Sequence, residues 1–337
     1  MSIAVLVTGG AGYVGSHVCK ALSAAGFLPV TYDNLSHGDP DFVRWGPLVV
    51  GDIADRSLVA ATLRRNRIQA VMHFAALIEV GLSVREPLEF FDNNVAGTMA
   101  LLRAVSACGI RAVVFSSTCA VYGVPVRLPL DEDHPRAPIN PYGASKLMVE
   151  QVLDWADAAH GIRHAALRYF NAAGADPDGE LGEAHDPETH LIPRVFAAAD
   201  GRAGAIDIFG DDWDTEDGTC VRDYIHVADL ADAHVLALRR LLNGGQSLKL
   251  NLGTGAGHSV RSVVAEVQRV TGRSVKVKIA ARRDGDSPAL VADPRRAQAT
   301  LGWRPRHSSL EEIVETGWRW ERAALSRRHR GKVMHDR

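Results

Sequence analysis

The sequence predicts an α/β protein, a doubly wound and mostly parallel sheet followed by a smaller C-terminal α/β lobe. Two observations predict it: a buried strand run opens into a glycine-rich turn and a helix, and short apolar strands then alternate with longer helical stretches. Ile3 to Thr8 is the first strand, followed by Gly9-Gly10-Ala11-Gly12-Tyr13-Val14-Gly15 and by helical composition from Ser16 to Ala25. Gly9, Gly12 and Gly15 form G-x-x-G-x-x-G, which lets the backbone turn tightly against a pyrophosphate while the helix N-terminus offers amide donors. Directly after a first strand, such a turn points to a dinucleotide.

The second strand, Leu28 to Tyr32, ends at Asp33. A carboxylate there can accept hydrogen bonds from the adenosine ribose and repels a 2′-phosphate, favouring NAD over NADP. A strand-ending aspartate beside Asn34 is also an ordinary turn. Leu48 to Val50 is a short third strand, and the Gly51-Asp52-Ile53 that follows could put Asp52 beside the adenine amino group. Ala70 to Phe74 is a fourth, leading into Ala75-Ala76-Leu77, small enough for the loop to lie against a cofactor. Pro87 to Ala107 reads as one long helix containing Asn93 and Asn94, and Arg111 to Ser116 as the next strand. Ser116, Ser117 and Thr118 close it, so a hydroxyl should project where open α/β sheets hold ligands. Hydroxyls at a strand end can equally satisfy turn amides.

Pro141 to Ala159 is helical and begins Tyr142-Gly143-Ala144-Ser145-Lys146, with phenol and ammonium four residues apart on one face. A free tyrosine titrates near ~10 and is a poor base at neutral pH unless positive charge stabilises its phenolate. Lys146 is one such charge and an oxidised nicotinamide a second, which would suit Tyr142 to oxidising and reducing an alcohol. The same spacing serves a plain surface helix.

In the second half, Gly174 to Pro187 is a polar loop, Leu191 to Ala199 a helix, and Ile206 to Phe209 alternates as a strand. His226 to Leu242 is an amphipathic helix, Leu248 to Leu252 a strand that rejoins the large sheet, and Val260 to Val270 and Leu310 to Ala323 are further helices. Ser326 to Arg337 is basic and poor in core residues, and reads as a loose tail. We divide the chain into 1–175, with a returning segment of about 223–257, as the cofactor domain, and 176–337 as mainly the substrate lobe and tail. A net charge of −2 offers no basic field for nucleic acid or membrane. Cys19, Cys108, Cys119 and Cys220 lack disulfide or zinc spacing, so no metal is expected and a reducing cytoplasm fits best. The short apolar start reads as a strand, not a signal peptide, and no run reaches the ~20 apolar residues that span a bilayer.

From Val5 to about Trp320 the chain resembles an extended short-chain dehydrogenase/reductase, and within that family the branch of UDP-glucose and UDP-galactose 4-epimerases. The resemblance rests on Thr8 to Gly15, Tyr32-Asp33-Asn34-Leu35, Gly51-Asp52-Ile53, His73-Phe74-Ala75-Ala76, Phe91 to Val95, Ser116-Ser117-Thr118, and Tyr142 to Lys146. Tyr169-Phe170-Asn171, Val221 to Val227 and Arg282 to Asp286 point to the epimerase branch. It implies a Rossmann-type fold holding NAD through Gly9, Gly12, Tyr13, Val14, Gly15, Asp33, Asn34, Asp52, Ile53, Phe74, Ala75, Ala76, Asn93, Ser116, Tyr142, Lys146 and Tyr169. It makes Tyr142 the acid/base, Thr118 its hydroxyl partner at the sugar, and Lys146 the group that binds the nicotinamide ribose and lowers the Tyr142 pKa. For the UDP-sugar it implies Asn171, His190 and Leu191, Arg222 and Arg283 on the diphosphate, Phe209 against uracil, Asp286 on the ribose, and Leu290 as the residue limiting size at C2. The implied reaction is transient oxidation at sugar C4, rotation of the 4-keto sugar, and return of the hydride to its other face. The resemblance further implies a homodimer built on the helices near 87–107 and 141–159 as a four-helix bundle.

The sequence departs from that pattern after Phe74-Ala75-Ala76-Leu77, where the family often has a lysine near the cofactor phosphates and this chain has Ile78-Glu79. A 4,6-dehydratase would need an acid and a base after the strand-end threonine. Here Thr118 precedes Cys119-Ala120. Nothing evident recognises the C6 carboxylate of a UDP-glucuronate decarboxylase substrate, and a non-catalytic nucleotide sensor would be expected to lose Tyr142 or Lys146. Arg222 could instead pair with Asp223 or Asp217, Arg283 could be solvated, and Phe209 could be core.

Overall fold

Strands that lie between two layers of helices are apolar on both faces and read as continuous hydrophobic runs. The computed structural model describes residues 2–283 and 286–335 and builds such a sheet. Its strands are β1 (Ala4–Thr8), β2 (Leu28–Asp33), β3 (Leu48–Val50), β4 (Ala70–His73), β5 (Ala112–Thr118), β6 (Arg163–Tyr169) and β10 (Leu248–Leu252), in the order β10-β6-β5-β4-β1-β2-β3. Every pairing is parallel. The order reverses between β1 and β4, and the crevice at the carboxyl ends of those strands is where such sheets take ligands.

The pleat sends alternate residues to opposite layers. Val5, Val7, Met72, Val114 and Leu167 pack with Val18 and Leu22 of α1 (Tyr13–Ala24) and with Leu230, Leu238 and Leu241 of α8 (Val227–Leu242). Leu6, Val30, Val71, Val113 and Phe115 meet α2 (Arg56–Arg65), α5 (Thr98–Ala107) and α6 (Pro141–His160) on the other side. The short helices α3 (Val80–Arg85) and α4 (Pro87–Phe91) precede α5.

A second sheet gathers around β9 (Val221–His226), which pairs with β7 (Asn171–Ala173) and β13 (Ala289–Leu290) in parallel and with β11 (Gly257–Ser259) antiparallel. β8 (Ile206–Phe209) and β12 (Val277–Ala280) form a separate parallel pair. Beneath them α7 (Leu191–Ala199), α9 (Val260–Thr271) and α11 (Leu310–His335) bury Ile192, Phe196, Val263, Val267, Ile313 and Val314. A final short helix, α10 (Arg295–Leu301), packs near β10.

Several elements differ from the sequence reading. α1 begins at Tyr13 because the glycine turn enters it directly, with extended Gly12 as N-cap. The expected 87–107 helix carries a π-helical turn over Asp92–Gly97, at Asn93 and Asn94. β6 escaped notice because Arg163 and Arg168 break its apolar pattern. The tail read as loose continues α11 to His335; arginine and lysine are good helix formers and no proline interrupts the run. Asp284 and Gly285 of the Arg282–Asp286 motif, and the last two tail residues, lie outside the described residues.

Among the described residues six histidines are buried, and four of them shift far. Burial pushes His73 down to about 3 and His17, His226 and His234 to about 4. An unfolded chain protonates them near ~6.5. Since the folded values are depressed, their contribution to stability is complete above ~6.5 and is lost as the pH falls toward the folded values. Thermal unfolding followed from neutral pH down to about 4 is expected to show a steeply falling midpoint; a flat profile would contradict this burial.

Candidate active site

The glycine turn lies under the β1–β4 crevice and can only be built without side chains. A Cβ at Gly15 would stand 2.1 Å from the Gly9 carbonyl oxygen, and one at Gly9, whose φ is +71°, 2.5 Å from the Ala75 nitrogen. Gly12 caps α1 with no side-chain hydrogen bond, leaving the first amides of the helix to a ligand. Asp33 closes β2 and is buried; its carboxylate accepts from the Ala11 and Leu35 amides at 3.0 and 2.9 Å. Two oxygens carry about four acceptor positions, so ribose hydroxyls can still be served. Asn34 donates to Asp52 at 3.0 Å on the exposed rim of the same end. This cradle fits a dinucleotide.

The other cofactor residues divide. The Ile53 side chain is core, against Gly97. Val14 and Ala75 pack on the two helical layers. Phe74 and Tyr169 flank the buried His234 ring at 4.9 and 5.9 Å, and Tyr169 hydrogen-bonds Ser116. Asn93 donates to Asn94, which in turn holds both backbone groups of Leu77 and donates to Ser145 at 3.1 Å. Asn94, to which the sequence reading gave no role, therefore joins the loop after β4 to α6 from within the π turn. That loop, Phe74 to Glu79 including Ala76, offers no cation, as the sequence indicates.

At the end of β5 the expected catalytic trio comes together. α6 starts at Pro141 behind the N-cap Asn140, whose side chain accepts from the Gly143 amide at 2.8 Å. That cap sets Tyr142 in the first turn, where its phenol neighbours the Thr118 hydroxyl. One turn on, Lys146 Nζ donates to the Ser116 carbonyl at 2.9 Å and lies 5.9 Å from the Tyr142 ring. Burial pulls Lys146 down to about 7. Burial, with the neighbouring Tyr169 and Cys119, pushes the Tyr142 phenol well above its ordinary value, and Thr118 opposes it. Desolvation of a phenolate outweighs an ammonium that burial itself makes reluctant to charge.

The expected substrate residues gather in the smaller lobe. Arg222 is in register with Leu290 across β9 and β13; it donates to the Ser287 carbonyl at 2.9 Å and reaches Asp286 at 3.5 Å. Arg283 donates to the same carboxylate at 2.9 Å and sits 5.4 Å over the Phe209 ring. Arg222 pairs with neither Asp223 nor Asp217, which are engaged by Thr254, Gly255 and Ala292 and by Thr219 and Ser259. Leu290 packs beside Cys119 and Phe170, and Asn171 opens β7.

At the start of α7, His190 Nδ1 faces Glu183 at 2.7 Å and Glu188 at 3.0 Å, and His185 Nδ1 faces Glu183 at 2.9 Å. Burial disfavours the imidazolium, but the two carboxylates outweigh it and hold His190 up at about 10. No metal was expected, yet these four side chains form a metal-like grouping. The Nδ1 atoms of both histidines are already engaged by the carboxylates. Leu191 follows as the first residue of α7. Tyr13 binds this loop to the glycine turn, donating to the Gly174 carbonyl at 2.6 Å.

Fold and site together define a dinucleotide-dependent enzyme of sugar nucleotides, and comparison with known proteins agrees. Residues 5–253 match the model of the NAD dependent epimerase/dehydratase family. The chain belongs to that family, whose cofactor is NAD. It is 53% identical over 327 residues to a UDP-glucose 4-epimerase of Rhizobium meliloti, covering 97% of this chain and 98% of that one. The UDP-glucose 4-epimerase of Brucella ovis, solved with NAD, superposes with a TM-score of 0.92 at 52% identity, covering 94% and 98% of the two chains. That of Bifidobacterium longum, solved with NAD+ and UDP, gives 0.89 at 36% identity, covering 95% and 98%.

Gly15→Ala is expected to leave a protein without bound NAD, because its Cβ and the Gly9 oxygen cannot both keep their places. Nucleotide released on denaturation and measured by chromatography checks this; a wild-type content would show that the turn can relax.

Proposed function

We propose that this chain is a UDP-glucose 4-epimerase, interconverting UDP-galactose and UDP-glucose, with Tyr142 carrying the proton of the sugar O4. The observation that carries the reading is the Tyr142–Thr118–Lys146 constellation at the C-terminal end of β5, the end of the sheet at which the glycine turn lies. Bound NAD supplies the redox chemistry at C4 and a positive ring beside the phenol. Tyr142 takes the O4 proton and returns it, Thr118 holds the phenol and the sugar oxygen in line, and Lys146 lends the charge that burial makes scarce. The proton acceptor is the phenolate, the form that positive charge beside it favours; once it holds the O4 proton, Tyr142 is the donor on the return.

For the nucleotide, Arg222 and Arg283 share the single carboxylate of Asp286, leaving one excess positive charge for a diphosphate. Phe209 offers a face to uracil, Asp286 an acceptor to the ribose, and Asn171 a polar contact to the sugar. His190 and Leu191, at the start of α7, are assigned to the sugar nucleotide, His190 with its charge already met by Glu183 and Glu188. Leu290 is of intermediate size, which favours UDP-galactose over its N-acetylated counterpart. We assign 1–175 with 223–257 mainly to NAD and 176–337 mainly to the UDP-sugar; the pairing of β10 with β6 supports the returning segment.

The partner proposed is a second copy of this chain. Leu88, Met99, Met148 and Trp155 are exposed on α4, α5 and α6, the last at 76%. Beside them a groove of about 340 Å³ is lined by Phe91, Val95, Met99 and Met148. Apolar surface of this kind marks an interface, and two helical stretches from each copy would make a four-helix bundle. We place the protein in the cytoplasm: its four cysteines are unpaired, and among the described residues no helix is long and apolar enough to cross a membrane.

Purified protein given UDP-galactose without added NAD is expected to form UDP-glucose, followed by NMR. Tyr142→Phe should keep its NAD and lose roughly 10²–10⁴-fold in turnover. A 4-keto-6-deoxy product would move the protein to the dehydratases. In sedimentation, wild type is expected as a dimer and Leu88→Arg/Trp155→Arg as a folded monomer; an unshifted double variant would refute the bundle.

A further inference from the structure

Three consecutive residues of β5 meet one side of α6 at successive helical turns. The Thr118 side chain neighbours the Tyr142 phenol, the Ser116 carbonyl accepts from Lys146 Nζ, and Ser117 Oγ donates to Glu150 Oε1 at 2.6 Å. Tyr142, Lys146 and Glu150 are spaced four apart and so stack along one face. Two of these contacts belong to the chemistry, and the third does not.

Glu150 is fully buried. Its Oε1 also accepts from Arg168 Nε at 2.8 Å and its Oε2 from Arg168 Nη2 at 2.6 Å. Arg168, 1% exposed, is the residue opposite Ser117 in the β5–β6 ladder. Its Nη1 donates to the Tyr122 hydroxyl at 2.9 Å, Tyr122 donates to Asn251 Oδ1 at 2.6 Å, and Asn251 Nδ2 donates to the Leu130 carbonyl at 2.8 Å. One carboxylate–guanidinium fork thus joins α6 to β5, β6, β10 and the turn after β5.

A buried ion pair adds little net stability, because desolvation offsets its attraction, whereas breaking it is costly. Its effect is therefore on arrangement. The apolar contacts of Val149 and Leu153 are non-directional and would tolerate a small slide of the helix. A slide of one residue is ~1.5 Å and would separate Glu150 from Ser117 and Arg168 at once.

We propose that Glu150 and Arg168 are positioning residues of the reaction: their two-pronged contact fixes the rotation and height of α6 on β5, and thereby the Tyr142–Thr118 and Lys146–Ser116 geometry. The proposal rests on the reading of Tyr142 as proton carrier. It does not follow from that reading, because nothing in the chemistry requires an ion pair two turns away.

The test compares Ser117→Ala, Glu150→Gln and the double variant Glu150→Leu/Arg168→Met with wild type, each as the full chain with its bound NAD. The double variant is expected to melt near wild type and to keep its NAD and its KM for UDP-galactose, while kcat falls roughly ten- to a hundredfold, the loss expected for an ångström of misplacement. The basic limb of its kcat–pH profile should also move, which a purely structural role would not cause. Ser117→Ala should lose less, in the same direction, and Glu150→Gln, which leaves Arg168 uncompensated, should also melt lower than the double variant. Wild-type kcat and an unmoved limb in a folded double variant would overturn the proposal; should that variant not fold, Ser117→Ala, which leaves the ion pair intact, decides by the same readouts. If wild type itself fails to convert UDP-galactose, the functional reading falls separately. Positioning is then read from the ultraviolet titration of the Tyr142 phenol, taken as the difference from Tyr142→Phe in each background, and an unchanged titration overturns it.

Discussion

The rest of the structure depends on the approach of Gly15 to Gly9 at the mouth of the β1–β4 crevice. With no Cβ on either residue, α1 can begin at the end of β1 and aim its free amides into the crevice. The other parts of the site take their places around that helix. Tyr13 and Lys20, on α1, anchor the loop that leads to His190 through the Gly174 carbonyl and through Asp176, Asp178 and Glu180. The nucleotide-holding turn and the loop ahead of α7 are therefore mechanically one unit.

A second constraint is electrostatic. The site is built where water is excluded, and burial acts on each ionisable group before any partner does. It pulls Lys146 down and pushes Tyr142 up, disfavouring the charged form of each. Such a pair responds strongly to any charge brought beside it, because the low-dielectric surroundings screen little. Two turns along α6 the opposite solution is used: Glu150 and Arg168 are equally buried but fully satisfied, and they stay charged because each supplies the other's counter-ion.

Much of this was legible from local rules. Gly9, Gly12 and Gly15 after a strand, Asp33 at the next strand end, and Tyr142 with Lys146 on a capped helix each encode their geometry within a few residues. Contacts that depend on the ladder register or on distant segments were not legible. Arg168 marked its strand as polar, yet it is buried because Glu150 lies across from it. Glu150 stands four residues after Lys146, and that spacing was the one available signal. Asn94 was visible as a residue but not as the tie between Leu77 and Ser145, since the π turn that aims it has no sequence signature.

By itself the sequence determined the doubly wound sheet, the glycine turn and the placing of Tyr142 and Lys146 on one helical face, because these follow from periodicity, from the absence of Cβ atoms and from helical spacing. Only the tertiary structure decided the charge states and the precision of the site. Burial, which no local pattern encodes, sets Tyr142 and Lys146 against their solution behaviour. The convergence of Arg222, Arg283, Phe209 and Asp286, and the locking of α6 by Glu150 and Arg168, come from segments that meet only when the two sheets and their helices are packed.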